Sequence, residues 1–256
     1  MRPWCFLVLC CVGLSSGALA QDISVTAASS YLTGRYGAAE ATTATVSFVT
    51  VQGSFSDFEL AATLPYVSLK SGGQFSEVEG ILLPAGGDRV RGFADLILSI
   101  DRPLPLGDEA PLAVAASAFV KVPTGASSIS TGEFDGGVDL EISKNIGNIS
   151  PFLKAGYRFF GDSAELELRN GWAASAGATL NLGKLILLGS YDWEESSVGG
   201  SSSKELYGLV NGPLAPRFRW TVFGSKGLSQ GAADARVGAA LTLSFGGETV
   251  RKMPRR

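Results

Sequence analysis

The chain has 256 residues, with 21 Lys and Arg against 24 Asp and Glu, a net charge of −3, three cysteines and no histidine. A net negative charge argues against nucleic acid as a partner. Without histidine, a Ser-His-Asp triad, a histidine-bearing zinc site and haem on a histidine ligand are excluded, as is the usual proton carrier near neutral pH.

The first twenty residues read as a removable secretory signal, with Arg2 as its basic part, an apolar core from Phe6 to Leu14 and a small-residue site at Ala18-Leu19-Ala20. The mature chain then starts at Gln21 and carries a charge of −4, Arg2 being lost. Cys5, Cys10 and Cys11 all leave with the signal, so no thiol, disulfide or cysteine metal site remains. Leu9 precedes Cys10 where a lipoprotein site needs a small residue. Beyond the signal no stretch reaches the roughly eighteen apolar residues of a membrane helix, so any crossing of a membrane is made by strands.

From Asp22 to Phe245 the chain is a succession of short segments that alternate apolar and polar residues, the period of a strand whose two faces meet different surroundings. About twelve are predicted, near 22–34, 41–51, 54–68, 92–101, 111–122, 133–146, 149–160, 171–182, 184–194, 204–211, 217–226 and 233–245. In 133–146 Phe134, Val138, Leu140 and Ile142 oppose Asp135, Asp139, Glu141 and Ser143. In 217–226 Phe218, Trp220 and Val222 oppose Arg217, Arg219 and Thr221, and in 234–245 Val237, Leu241 and Phe245 oppose Arg236, Thr242 and Ser244. A helical period would scramble these faces. The segment 204–211 is the exception, because Leu206, Tyr207, Leu209 and Val210 do not separate by parity.

Connections tend to alternate in length. With the N-terminus periplasmic, inner turns fall near Gln52-Gly53, 102–110, Gly147-Asn148, Gly183 and 212–216, most of them short, and outer loops near 35–40, 69–91, 123–132, 161–170, 195–203 and 227–232, generally longer, the asymmetry of bacterial barrels; the short first outer loop and the proline-rich inner turn with Pro103, Pro105 and Pro111 are exceptions. Tyr31, Tyr66, Tyr157, Trp172, Tyr191, Trp193 and Trp220 fall on the apolar faces, as an aromatic girdle requires, although a soluble barrel with aromatics in its core shares that pattern. The predicted fold is all-β: a single antiparallel transmembrane β-barrel of about 12 strands over 21–245, after a cleaved signal peptide at 1–20 and before a basic tail at 246–256. An apolar outer face on a closed barrel of this size must face lipid.

The opposite parity sets the candidate lumen. Asp139 and Glu141 lie two apart on one face, with Lys121 on the preceding segment and Lys154 and Arg158 on the following one as neighbouring bases. Arg217, Arg219 and Arg236 add further inward charge, and Asp57, Glu59, Asp95, Asp101, Asp192, Glu194 and Asp234 share the parity. The pair Asp139 and Glu141 suits acid–base work, but a ladder of lumen charges accounts for it more simply. The long stretch 69–91, with Ile81-Leu82-Leu83 between Gly72-Gly73 and Gly86-Gly87, can enter the mouth as a constriction or pack as a rim.

Gly92-Phe93-Ala94-Asp95-Leu96, Lys121-Val122-Pro123-Thr124-Gly125, Thr131-Gly132 with Asp135 to Lys144, and Ala155-Gly156-Tyr157 to Gly161-Asp162 resemble the outer-membrane family labelled transporter or meta-pathway phenol-degradation protein. Ala94 stands where that family has glycine, and Ala126 where an acidic residue is common. The resemblance implies a barrel in the outer membrane of a Gram-negative bacterium and passive uptake of small, often aromatic or hydrophobic, compounds, with no cofactor or metal and no enzymatic activity. Implied partners are outer-membrane lipid and lipopolysaccharide, the barrel-assembly machinery and a small-molecule solute. The alternatives are a closed barrel with a structural or surface-interaction role and a histidine-free envelope enzyme.

Overall fold

The computed structural model describes residues 22–36, 39–70, 76–78, 81–83, 89–106, 111–162 and 167–245. The proposed signal and basic tail lie outside them, as does most of the long loop 71–88. Alternation generates the strands β1 (Ile23–Gly34), β2 (Thr42–Phe55), β3 (Phe58–Lys70), β4 (Ser76–Val78), β5 (Ile81–Leu83), β6 (Arg89–Phe93), β7 (Leu96–Leu104) and β8 (Ala113–Val122). They are followed by β9 (Asp135–Ser143), β10 (Ile149–Phe159), β11 (Gly171–Leu182), β12 (Leu185–Glu194), β13 (Ser203–Ala215), β14 (Phe218–Gly227) and β15 (Ala235–Phe245).

Thirteen of these form one sheet, each strand antiparallel to those it pairs with, and β15 returns to pair with β1 from Ile23↔Phe245 to Thr33↔Ala235. The sheet is therefore closed, which leaves no edge with unpaired backbone groups. The thirteen strands fill twelve positions, because β6 and β7 follow one another along β3. Their register slips by one residue between Tyr66↔Phe93 and Thr63↔Ile97, while Ala94 N still donates to Pro65 O at 2.9 Å. This is a bulge at Ala94-Asp95, the kind of irregularity that redirects a side chain. The small hairpin β4–β5 lies outside the barrel sheet.

Side-chain parity follows the predicted faces. Leu153 is 65% exposed, and Tyr31, Val138, Leu140, Trp172, Val237 and Leu241 are also exposed on the outer wall. Leu32, Val46, Val67, Asp95, Lys121, Arg158 and Arg236 are buried inside it. Near the loop end Tyr66 meets Phe93 edge-on at 5.3 Å, and Tyr157 meets Trp172 at 4.9 Å, a belt of outward aromatics. The outer belt is apolar on a barrel with no free edge, so hydrocarbon is its solvent. Both termini of the described barrel lie at one end, where the connections are short apart from 105–112, and those at the other end are generally longer.

Two local predictions need correction. Gln52 and Gly53 do not turn; they pair with Ala61 and Leu60, and the turn is Ser56-Asp57, closed by Phe55↔Phe58 with Ser56 at φ 55°. The two Phe rings stack across it at 6.1 Å, which fixes the turn four residues later than the glycine suggested. The weak segment 204–211 is a long strand, β13, with Tyr207 and Leu209 pointing inward and buried. Parity failed there because the barrel interior at that point is itself apolar.

Candidate functional site: the lumen and its tethered mouth

Where the family-like motifs converge, the lumen is most tightly organised. At the bulge Ala94 and Asp95 both face the interior at the loop end, just before β7, whose neighbour β8 brings Lys121 inward. Lys121 Nζ lies 3.2 Å from Asp95 Oδ2 and also pairs with Asp135, its directly opposite residue on β9. All three are almost fully buried. Both carboxylates are also served by backbone or hydroxyl donors. Gly125 N donates to Asp95 Oδ1 at 2.8 Å, Ser130 Oγ to Asp95 Oδ2 at 2.7 Å, and Gly161 N to Asp135 Oδ1 at 3.0 Å. Charge-assisted bonds of this type are the strong ones.

These contacts draw the loop 123–134 into the mouth. Thr124 Oγ1 accepts from Leu96 N at 3.0 Å, and Ala126 N donates to Phe93 O at 3.0 Å. At Gly125 an added Cβ would stand 2.9 Å from both Ala94 C and Asp95 Oδ1, so the loop approaches the bulge as closely as only glycine allows. Ile129 follows one turn later, fully buried among Leu32, Val46, Val67, Leu69, Ala94 and Ala233. The loop that fills the mouth is thus 123–134. The constriction expected from 69–91 lies largely outside the described residues.

Toward the terminal end the wall of β7 to β10 is charged. Arg158 Nη2 donates to Asp139 Oδ1 at 2.8 Å, and its guanidinium lies over the Phe119 ring at 5.4 Å. Gly156, directly opposite Asp139 in register, leaves no room for a Cβ beside that carboxylate. Lys154 is directly opposite Glu141, and Glu59 directly opposite Asp101. Lys121 does not join this group. The loop 123–134 sets β8 against β9 so that Lys121 faces Asp135, four residues from Asp139, and sequence alone does not disclose that register. On the far wall, Arg236 packs on Tyr207 and Phe223 at 5.8 and 5.9 Å, beside Phe152, Leu188 and Leu209. Asp192 and Glu205 are opposite one another there, with Ser190 donating to Asp192. Arg219 donates Nε to Asn211 Oδ1 at 2.9 Å near the terminal end. Arg217 sits exposed in the turn between β13 and β14, because β14 begins one residue later than the segment predicted at 217–226.

Sequence reading put Asp135 on the inward face without naming it among the lumen charges, and gave Gly125, Ser130 and Ile129 no part in the lumen. The signal that could have found the first two was the resemblance itself, since its quoted motifs contain both. Among the described residues no three acid or thiol side chains converge as a metal cage. The exposed turn residue Asp57 accepts from Arg102 at 2.7 Å, and that guanidinium holds its carboxyl below the usual carboxylate range.

At the level of sequence, no family model and no curated protein matches the chain. Among solved structures, it is similar to the COG4313 outer membrane channel from Pseudomonas putida F1, with a TM-score of 0.66, 11% identity, and coverage of 90% of this chain and 97% of that one. The translocator domain of the autotransporter NalP from Neisseria meningitidis follows with a TM-score of 0.51, 13% identity and 91% coverage of each. The toluene transporter TodX of Pseudomonas putida is a looser likeness, at 0.44 and 9% identity over 90% of each chain. The fold is an outer-membrane β-barrel. With its unbroken apolar belt, the protein is one that sits in such a membrane with lipid around it.

Proposed function

We propose that the barrel is a channel for passive entry of small molecules, its work being passage and not turnover. The observation that carries this reading is the mixed lumen. An apolar lining of Leu32, Val46, Val67 and Leu69 at the mouth gives way toward the terminal end to a charged wall of Asp101, Asp139, Glu141, Lys154 and Arg158. Such a path suits solutes with an apolar body and a polar group, and opposed charges bias which of them pass. The fold it shares with a protein described as an outer membrane channel supports the reading, as does the motif resemblance with its small, often aromatic, compounds. Lipopolysaccharide around the belt and assembly by the barrel-assembly machinery belong to the same proposal.

Passage needs loop 123–134 to yield, since Ile129 and its tether occupy the mouth. That packing favours a second reading, a closed barrel with a structural or surface-interaction role. Conductance of the refolded protein in a planar bilayer separates the two. Stable current steps, with ion selectivity altered in Asp139→Asn/Glu141→Gln, support the channel. Silence from a folded, inserted barrel in which Ile129→Ala is equally silent overturns it in favour of the closed barrel.

A further inference from the structure

At the loop end of the barrel three bases share one outward face of β3 and β6. Lys70 is directly opposite Arg89, and Arg91 follows on the same face, opposite Ser68. Their direction is set by their neighbours in the chain. Leu69 is buried in the apolar cluster at the mouth and Val90 packs against it, so the residues beside them point away from the lumen. Lys70, Arg89 and Arg91 are accordingly all exposed. Like charges directly opposed across a strand pair are destabilising, and among the described residues none of the three forms an ion pair. The chain as a whole carries a net charge of −3, so the patch runs against its general charge.

The height of the patch on the wall points to what it meets. Phe93 continues the face of Arg89 and Arg91, is 55% exposed, and touches Tyr66 edge-on at 5.3 Å in the outward aromatic belt. At about 3.3 Å per residue, Arg91 stands about 7 Å and Arg89 about 13 Å along the strand from Phe93. That is where headgroups begin above an aromatic girdle, and where long basic side chains reach out of hydrocarbon. The neighbouring strand β2 adds hydroxyls on the same side, Thr43 opposite Lys70 and Thr45 opposite Ser68. We infer that this face binds the phosphate of an anionic lipid, of the lipopolysaccharide type, in the leaflet around the loop end.

The chemistry of the face selects that occupant. A guanidinium offers paired donors that match two oxygens of a phosphate, and an ammonium adds a point charge. The hydroxyls suit the remaining oxygens or a sugar. Below the bases the wall turns apolar, with Phe93, Tyr66 and Leu64 exposed in succession toward the middle of the belt. A lipid uses both halves, its phosphate at the bases and its acyl chain along the wall, whereas a soluble anion leaves the apolar half idle. The inference deepens the part of the reading above that sets lipopolysaccharide around the belt, on which it rests, and it is independent of passage through the lumen.

The test uses the full mature barrel refolded in a zwitterionic detergent, with bound lipid counted by native mass spectrometry as lipid A is titrated in. Wild type, Arg89→Gln, Arg89→Gln/Arg91→Gln and Lys184→Gln are compared, the last an exposed base in the turn at the opposite end. Lipid A stripped of its phosphates, and sodium phosphate as a competitor at matched phosphate concentration, complete the set. The expected result is saturable binding of lipid A that weakens about tenfold with each guanidinium removed and is unchanged in Lys184→Gln. The stripped lipid should bind wild type no better than lipid A binds the double variant, and sodium phosphate should not compete. In lipid-free micelles Arg89→Gln should have a urea midpoint at least as high as wild type, because the repulsion with Lys70 is gone; added lipid A should reverse that order, since a ligand of the folded state stabilises it. A lower midpoint for Arg89→Gln without lipid overturns the inference, because the protein then supplies the partner itself. Equal binding of the stripped lipid overturns it, and effective competition by sodium phosphate does so in favour of a free-anion site. Lipid A bound equally by wild type and the double variant removes this site while leaving lipopolysaccharide around the belt, and none of these outcomes bears on the channel reading.

Discussion

Replacing Lys121 by methionine keeps the length and apolar stem of the side chain but removes the one ammonium that serves two buried carboxylates. Asp95 and Asp135 would each retain their neutral donors, Gly125 N and Ser130 Oγ for the first and Gly161 N for the second. Neither would retain a cation within the tether. Removing one partner of a buried ion pair costs about 3–5 kcal/mol, mostly through the charge left behind. The barrel can escape part of that by letting loop 123–134 leave the mouth so that water reaches the acids. That route exposes Ile129, about 1.5–3 kcal/mol, and gives up several hydrogen bonds at about 1 kcal/mol each. The two routes cost similar amounts, so Lys121→Met is expected to destabilise by about 3 kcal/mol or more. With a urea dependence of about 1–3 kcal/mol per molar, the midpoint falls by about 1–3 M. Asp135→Asn added to Lys121→Met should recover part of the loss, since a neutral amide in place of the orphaned carboxylate lifts the penalty. A Lys121→Met midpoint indistinguishable from wild type, or a double variant as unstable as the two single losses summed, would refute the reasoning that this cluster tethers the loop.

Other consequences are simpler. Gly125→Ala forces a Cβ against Ala94 and Asp95 and should cost about 1–3 kcal/mol in urea unfolding, whereas Gly132→Ala, which meets no neighbour, should show only the strain of its φ of 77°. Ile129→Ala should cost about 2–5 kcal/mol and, in a conducting barrel, enlarge the current step; an unchanged midpoint would mean that the loop is not packed in the mouth. Leu153→Lys, in the middle of β10 on the outer wall, should cost about 2–4 kcal/mol in a lipid-embedded barrel but almost nothing if that face met water, so vesicle-refolding titrations decide between the two. Arg102→Gln removes the partner that lowers the Asp57 carboxyl. Its stabilisation is present above the unfolded aspartate range and disappears as pH falls through the lowered folded value, so wild type and variant should converge in acid, by a small margin at this exposed turn.

Much of the fold was legible because a transmembrane strand reports its surroundings twice, once on each face. Phe134, Val138, Leu140 and Ile142 against Asp135, Asp139 and Glu141 is the pattern of a wall between oil and a polar interior. It broke where the interior ceased to be polar: Tyr207 and Leu209 turn inward onto Phe223 and Phe152, so β13 is apolar on both sides and loses its parity. The turn at Gln52-Gly53 was misplaced for a related reason. A glycine marks permission to turn, while the cross-strand pair Phe55 and Phe58 fixes where the turn occurs.

The site was legible only in pieces. Parity places Lys121, Asp139, Glu141, Lys154 and Arg158 on one side of the wall, but it does not say which acid meets which base. That depends on how far β8 is offset from β9, and the offset is set by a loop that folds inward instead of outward. Inward folding in turn rests on a one-residue slip at Ala94-Asp95, whose only trace in sequence is an aspartate next to an alanine at a strand break. The bulge and the Gly125 contact therefore stand or fall together: the slip turns both Ala94 and Asp95 inward, so deletion of Ala94 would restore simple alternation with Asp95 still facing the lumen, but would take away the backbone that Gly125 packs against and one side of the pocket that holds Ile129.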